Sequence, residues 1–420
     1  MQTASAQMNS IEKKIKPADT LFTIMIHSML GFDMMVHSRF WVLFGPGFRT
    51  ICFAAVLSAI VLSGAVSISR RHFKEVFVFT SFSLLIIVQM SAFSFNFNTE
   101  LNPSAAIQFY PMLTFIVFSI CIRQFGVRRV CEWFALYSTV YCFMYVSISA
   151  CIYFGYLDQD LVSALTQTDA ERGTRILISA PPALFAFFYS IYGATKSNYV
   201  KALMFLFSSV SIGVSLSRYL IVFFVLTCVI LVVFKKKSSL SNLAIMLIFF
   251  VSSLPLLWGF VDSWWNPFAI FSSDSSGKIR LFSYDTAIGI LQRHPLLGAG
   301  IPADDLTLMR AVSNYTFAPM DLGIMGVWFN FGLTGTFFYI YSVWIATLPR
   351  VQLLDMRAPE YQSIRACALV LAANACLTPS IWFTGCFFGL ALAYYLMESD
   401  QYSSRTRAQS SRAASDQVGW

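Results

Sequence analysis

The chain predicts an all-α fold: a polytopic membrane helix bundle of about twelve spans, with a large outer loop that contains a short amphipathic helix. Three observations predict it. Hydrophobic residues make up 57% of the 420 residues and charged residues 12%, about half the charge of an ordinary soluble domain. Mean hydropathy is +0.65. Apolar runs of roughly 17–25 residues, enough to cross a bilayer, recur along the whole length. The polar breaks between those runs are alternately rich and poor in lysine and arginine, as the positive-inside rule requires.

Residues 1–20 are polar and carry Lys13, Lys14 and Lys16. No short apolar core with a small-residue cleavage site follows, so this segment reads as an inner tail and not a removable signal. Spans one to nine are expected over 21–260. The first, Leu21–Phe44, is interrupted by His27, Asp33 and His37, which leaves a spanning and an interfacial placement both open. Then come Ile51–Ile68, Val76–Phe95, Ile107–Ile122, Val130–Tyr156, Ile176–Ala194, Val200–Val214, Tyr219–Phe234 and Leu243–Phe260. An outer loop over 261–320 follows. Spans ten to twelve, Leu322–Leu348, Ala366–Leu377 and Ile381–Met397, occupy 321–397, the last two short and broken at Pro379. Residues 398–420 form a polar, basic inner tail whose composition reads as disordered.

With both ends inside, twenty of the 29 lysines and arginines face inward. The net charge of +8 is therefore topology charge and not a nucleic-acid footprint. Nine cysteines are scattered without a C-x-x-C spacing, and the four histidines are well separated. Neither a metal site nor a disulfide framework nor a cofactor is expected.

The nine outward basic residues are Arg39, Arg49, Arg172, Arg175, Arg218, Lys278, Arg280, Arg293 and Arg310. Topology does not require them. Arg175 precedes a span in "ERGTRILISAPPALF", and Arg218 sits in "SLSRYLIVFF", where the flanking apolar runs leave almost no loop. Arg280 lies in "KIRLFSYDTAIGILQRHPLLGAG". There Leu281, Tyr284, Ile288 and Leu291 share one helical face, with Ser283, Asp285 and Gln292 mostly elsewhere. The helix should start near Ser275–Gly277 and stop at Pro295, with Gly298 and Gly300 allowing a tight loop.

An arginine near a helix N-terminus favours an anion. At a membrane–water boundary the planar guanidinium suits a lipid-linked phosphate or diphosphate. Each arginine has an alternative reading as an interfacial anchor, and Arg293 as an ordinary solvated loop residue. Arg293, Tyr284 and His294 join Arg175 as substrate-binding candidates. Tyr284, like Trp264, Trp265 and Tyr315, is either a sugar-stacking ring or part of the interfacial belt. His294 also suits a helix-end cap.

"SSGKIRLFSYDTAIGILQRHPLLGAG" resembles the signature of the O-antigen polymerase and O-antigen ligase superfamily: an arginine, an aromatic, a short helix, then a P-L-x-G-x-G loop. "SLSRYLIVFF" looks like the family's S-x-S-R segment, "RILISAPPALFAFF" like its R-x-x-G-x-x-x-x-P-N segment, and "DLGIMGVWFNFGLTG" like the G-x-x-G start of the following span. The four pieces stand in family order across Arg175 to Gly335.

The resemblance implies an integral-membrane glycosyltransferase of the bacterial inner membrane, multi-pass with both termini cytoplasmic. It would take a glycan from a polyprenyl-diphosphate carrier at the periplasmic face and pass it to an acceptor hydroxyl. Arg218 and Arg280 match the arginines that engage the diphosphate, and Arg175 matches a third. Two departures stand out. Pro–Ala replaces Pro–Asn in "APPALF". The segment "MRAVSNYTFAPMDLGIMG" lacks the histidine that ligases carry, which leaves Asp321 as the replacement base or acceptor anchor. That absence favours a polymerase of exopolysaccharide or O-antigen repeats, with ligase and transporter as alternatives. The expected partners are lipid-linked glycans as donor and acceptor, membrane lipids, and a flippase with chain-length and export proteins.

Overall fold

The computed structural model describes residues 17–169, 173–176, 178–193, 197–215, 217–233, 244, 247, 275–313, 317–347, 358–378 and 380–399. Most of the expected ninth span, the first 14 residues of the outer loop and most of both tails lie outside these residues. Within them the chain is helical except for one hairpin. In chain order the helices are α1 (Pro17–His37), α2 (Pro46–Ser69), α3 (Phe73–Phe97), α4 (Phe115–Phe125), α5 (Val127–Tyr153), α6 (Gln159–Leu165), α7 (Ala180–Tyr192), α8 (Asn198–Val214), α9 (Arg218–Val233) and α10 (Ser275–Leu291). They continue with α11 (Asp305–Val312), α12 (Ile324–Thr347), α13 (Pro359–Asn374), α14 (Ser380–Phe383) and α15 (387–399). Short 3-10 helices cover Phe40–Phe44, Pro103–Leu113 and Pro319–Leu322.

Among the described residues, four helical segments are long and apolar enough to cross a membrane: Gly47–Ser69, Phe73–Phe97, Ala105–Phe125 and Val127–Tyr153. Asn198–Val214 and Leu220–Val233 are shorter apolar helices. Ile51, Leu62, Phe77, Leu84 and Val229 are exposed on the bundle's outside. In water such a surface would be unstable, but lipid is its natural solvent. The chain is a multi-pass membrane protein.

Two helices form the centre. Ala183–Ala186 on α7 and Cys367–Ala372 on α13 are fully buried, and a helix apolar on every side is one enclosed by others. Proline stands in the first turn of each, where a missing N–H leaves no broken bond. The doubtful first segment also resolves. α1 packs on α2, α4 and α5, and Phe22, Met25, Ile26, Met29 and Leu30 are buried. It is a core helix of the bundle.

The structure corrects the sequence map in four places. The all-α expectation gains a β-hairpin, β1 (Thr166–Asp169) with β2 (Gly173–Ile176), antiparallel with Thr166 opposite Ile176. β-Branched threonine and isoleucine favour that conformation, so α7 starts at Ala180 and not at Ile176. The Ile107–Ile122 span divides at Thr114, because Pro111 lacks the donor an α-helix needs. α13 starts seven residues before Ala366, so Arg365, expected in an inner loop, is 3% exposed within a helix beside Tyr361 and Tyr192. Ser283, expected off the buried face of the loop helix, is fully buried.

At one end of the bundle, Arg123 donates from Nε (3.0 Å) and Nη2 (2.5 Å) to Glu75 Oε1, whose side chain is 3% exposed. Removing one partner strands the other charge. Arg123→Ala should cost about 3 kcal/mol, while Glu75→Leu with Arg123→Leu should recover most of it. Thermal unfolding of the detergent-solubilised protein checks this. A double variant whose loss equals the sum of the two single losses would show that the pair carries no coupling.

Candidate active site

α10 covers Ser275–Leu291, so it ends four residues before Pro295, where the sequence predicts its stop. Its buried face holds Tyr284, Ala287, Ile288 and Leu291, while Lys278, Phe282 and Asp285 are exposed. Exposed Phe282 makes the outer face partly apolar too, which suits a helix lying at a lipid boundary. Arg280 is half-buried in the second turn. Tyr284, a candidate for sugar stacking, is instead 1% exposed and anchors the helix in the core. Arg293 is exposed and donates from Nε to Gly289 O at 3.1 Å, capping its own helix end. His294 continues that end, since its backbone N–H bonds Ile290 O and its carbonyl accepts from Gly298 N.

The Pro295–Gly300 loop is seated inside a break in α12. At Gly332 the helix leaves helical geometry (φ 64°, ψ −173°), and the freed groups bond the loop. Leu333 N donates to Leu296 O at 3.0 Å, Ala299 N to Phe329 O at 2.7 Å, and Trp328 Nε1 to Pro295 O at 2.7 Å. α3 holds the other side. Asn96 Nδ2 donates to the carbonyls of Gly298 (3.2 Å) and Ala299 (3.3 Å), Gln89 Nε2 to Phe331 O (3.1 Å), and Ile301 N to Gln89 O (3.0 Å). Gly298 and Gly300 both have positive φ, 70° and 93°. A Cβ on Gly298 would sit 2.5 Å from Phe329 O, and one on Gly300 would strike Gln89 O and Phe93 N. The loop's sequence is therefore a docking requirement. Leu296 and Leu297 stay exposed beside it.

Asp321 is half-buried in the 3-10 turn that leads into α12. That turn packs on α10, and Ala318 N donates to Ser283 Oγ at 3.1 Å. Arg280 and Asp321 thus stand on segments tied three residues from each. The far side of the turn, Gly323, abuts the carbonyls of Ala375 and Cys376, where α13 ends. Before α11, Asp304 accepts from Thr307 N at 2.7 Å and caps the helix. This bond holds its carboxyl below the usual range, so the cap is intact at neutral pH and weakens only as pH falls through that lowered value. The D-D-L-T sequence carries this N-cap signal.

Arg175 lies on β2 and Arg218 is the first residue of α9; the description covers their backbones alone. Their neighbours meet. A cavity of about 700 Å3 is lined mainly by apolar groups, among them Val146, Ile152, Phe154, Val162, Ile176 and Val214. Ile176 follows Arg175, and Val214 stands four residues before Arg218. From β2 the chain runs to Ser179, whose N–H donates to Tyr141 Oη at 2.7 Å. Ser179 Oγ faces Gly385, in the break before α15, which continues from the Ala375–Cys376 turn. Residues 375–376 thus meet the Asp321 turn, and Gly385 meets Ser179.

Among the described residues no group of three or more metal-ligating side chains is present, and no disulfide joins any of the nine cysteines. The chemistry on offer is guanidinium charge at a lipid boundary, an adjacent carboxylate and a neighbouring apolar cavity. Such a set can hold a charged headgroup with its chain in the cavity and stabilise a departing anion.

This is a multi-pass helical membrane protein. Residues 203–340 match the model of the O-antigen ligase family. The matched stretch includes Arg218, Arg280 and Asp321 and supports a relation to the O-antigen polymerase and ligase superfamily, whose members are glycosyltransferase-like enzymes. No curated protein matches the chain.

Proposed function

We propose that this protein is a polymerase. It joins polyprenyl-diphosphate-linked oligosaccharide repeat units at the periplasmic face of the bacterial inner membrane, in exopolysaccharide or O-antigen synthesis. The bundle has twelve spans with both termini cytoplasmic, and 261–320 is the periplasmic loop. Arg280 and Arg218 hold the diphosphate, and Arg175 assists. The apolar cavity beside Ile176 and Val214 receives the first isoprenoid units. A flippase supplies the repeat units, and chain-length and export proteins take the product.

The single observation that supports glycan transfer from a lipid diphosphate is Arg280, half-buried on a boundary helix tied to the Asp321 turn within the family-matching region. Diphosphate is a good leaving group, and positive charge on its oxygens can promote departure without a metal. The acceptor hydroxyl then needs positioning and a proton acceptor. The segment Met309–Gly326 lacks a histidine, which favours polymerase over ligase. The ligase reading is favoured by the description of the matched family.

Deleting the gene and sizing lipid-linked and surface glycans separates them. Single repeat units on the carrier support a polymerase. Long polymer that stays on the carrier and misses its final acceptor means ligase. Normal polymer in the deletion overturns both.

A further inference from the structure

A second constellation of chemistry-bearing side chains lies outside the arginine site. Asp33 on α1 is 1% exposed in the bundle core. It accepts from Tyr110 Oη at 2.7 Å on Oδ1 and from Cys386 N at 3.0 Å on Oδ2. One turn on, His37 Nε2 lies 3.0 Å from Tyr110 Oη and 3.5 Å from Asp33 Oδ1. A carboxylate inside a membrane bundle is costly and usually marks function. This one is arranged as an orienting acid behind an imidazole, the relation a general base needs.

One imidazole tautomer fits these contacts. Tyr110 Oη gives its proton to Asp33, so its lone pair accepts from His37 Nε2–H. Nδ1 is then the basic nitrogen of the neutral ring. Of the three side chains His37 alone reaches the surface, 13% exposed against 1% for Asp33.

The trio sits beside Ser179 and Gly385. Asp33 Oδ2 and Ser179 Oγ each lie 3.5 Å from the Cβ position of Gly385. Ser179 stands four residues after Arg175, and Gly385 belongs to the break that abuts the Asp321 turn at its other end. Phe40, three residues beyond His37, stacks on Tyr141, which holds Ser179. The end of α1 is thus bound to the Ser179 side of the site. Other titratable or charged groups near the trio are Cys52 on α2 and Cys386 on the break, both close to Tyr110. Arg49 on α2 lies over Phe53, which is edge-on to Tyr110, and Arg39 follows on α1's own chain.

We infer that His37, oriented by Tyr110 and Asp33, is the proton acceptor for the acceptor hydroxyl in glycan transfer. This rests on the function proposed above. As the hydroxyl oxygen bonds to the anomeric carbon, the bond from that carbon to the diphosphate oxygen breaks. The diphosphate leaves with the electron pair. The hydroxyl proton passes to His37 Nδ1, and the imidazolium is balanced by Asp33 until it gives the proton to water or to the departing diphosphate.

The test uses the purified full-length protein in lipid nanodiscs, with one polyprenyl-diphosphate-linked oligosaccharide repeat as donor and acceptor. His37→Gln should lower kcat roughly 100-fold or more, leave KM nearly unchanged, and remove the acid limb of the pH–rate profile. His37→Ala should recover activity with added imidazole. Tyr110→Phe should lose less and keep the limb. Wild-type activity in His37→Gln, or a reduced rate with an unchanged pH profile and no imidazole rescue, would overturn the inference while leaving the glycan-transfer reading intact. A wild-type protein that never elongates this donor would overturn that reading, and the inference with it.

Discussion

Arg280→Ala, confirmed to reach the membrane, should lower glycan transfer by about 100- to 1,000-fold, the usual loss when one donor to a developing anion is removed. In cells this appears as single repeat units on the carrier in place of long polymer. The size follows from where the residue sits. Arg280 is half-buried at a helix start beside lipid-facing residues, and charge stabilisation there is less screened than in water. Arg280→Lys keeps the charge but loses the planar fork, so it should fall between the two. Undiminished polymer from Arg280→Ala would remove this residue from the chemistry. His37→Gln separates from it in kind, because the arginine variant should weaken donor engagement and the histidine variant the chemical step alone.

Gly300→Ala should be strongly damaging. The residue has φ 93°, and the added carbon would strike Gln89 O and the Phe93 backbone. The conformation alone costs about 1–3 kcal/mol in a non-glycine residue, and backbone atoms cannot move aside as a side-chain end can. The loop would leave its seat between α3 and the break in α12. Activity should vanish, with a lower unfolding temperature and proteolytic cleavage within Pro295–Gly300. Asn96→Ala removes two hydrogen bonds to the same loop and should cost about 1–2 kcal/mol, with partial activity. A stable, active Gly300→Ala protein would refute the seated-loop geometry.

Much of the site was legible in the sequence because local rules govern it. The 3.6-residue spacing of Tyr284, Ile288 and Leu291 gave the helix face. Pro295 gave its end to within four residues, and the glycines after it gave the turn. The arginines stood out because topology did not need them. Tyr284 was harder to place. Its ring could face sugar, membrane or core, and only the packing of α10 on α12 shows that it is buried.

Composition and the spacing of apolar runs by themselves determined a multi-pass helical membrane protein. Short-range motifs determined the helix at Ser275–Leu291 and the loop that ends it. The tertiary structure alone decided that α1 is a core helix and that the loop plugs a break in α12. It alone brought Asp33, His37, Tyr110 and Cys386 together across more than 350 residues of chain. The physical reason is one of range. Helix periodicity, capping and membrane insertion depend on neighbours within a turn or a span. Which carbonyl fills a broken helix, and which hydroxyl meets a buried carboxylate, depends on packing between elements that the chain order leaves far apart.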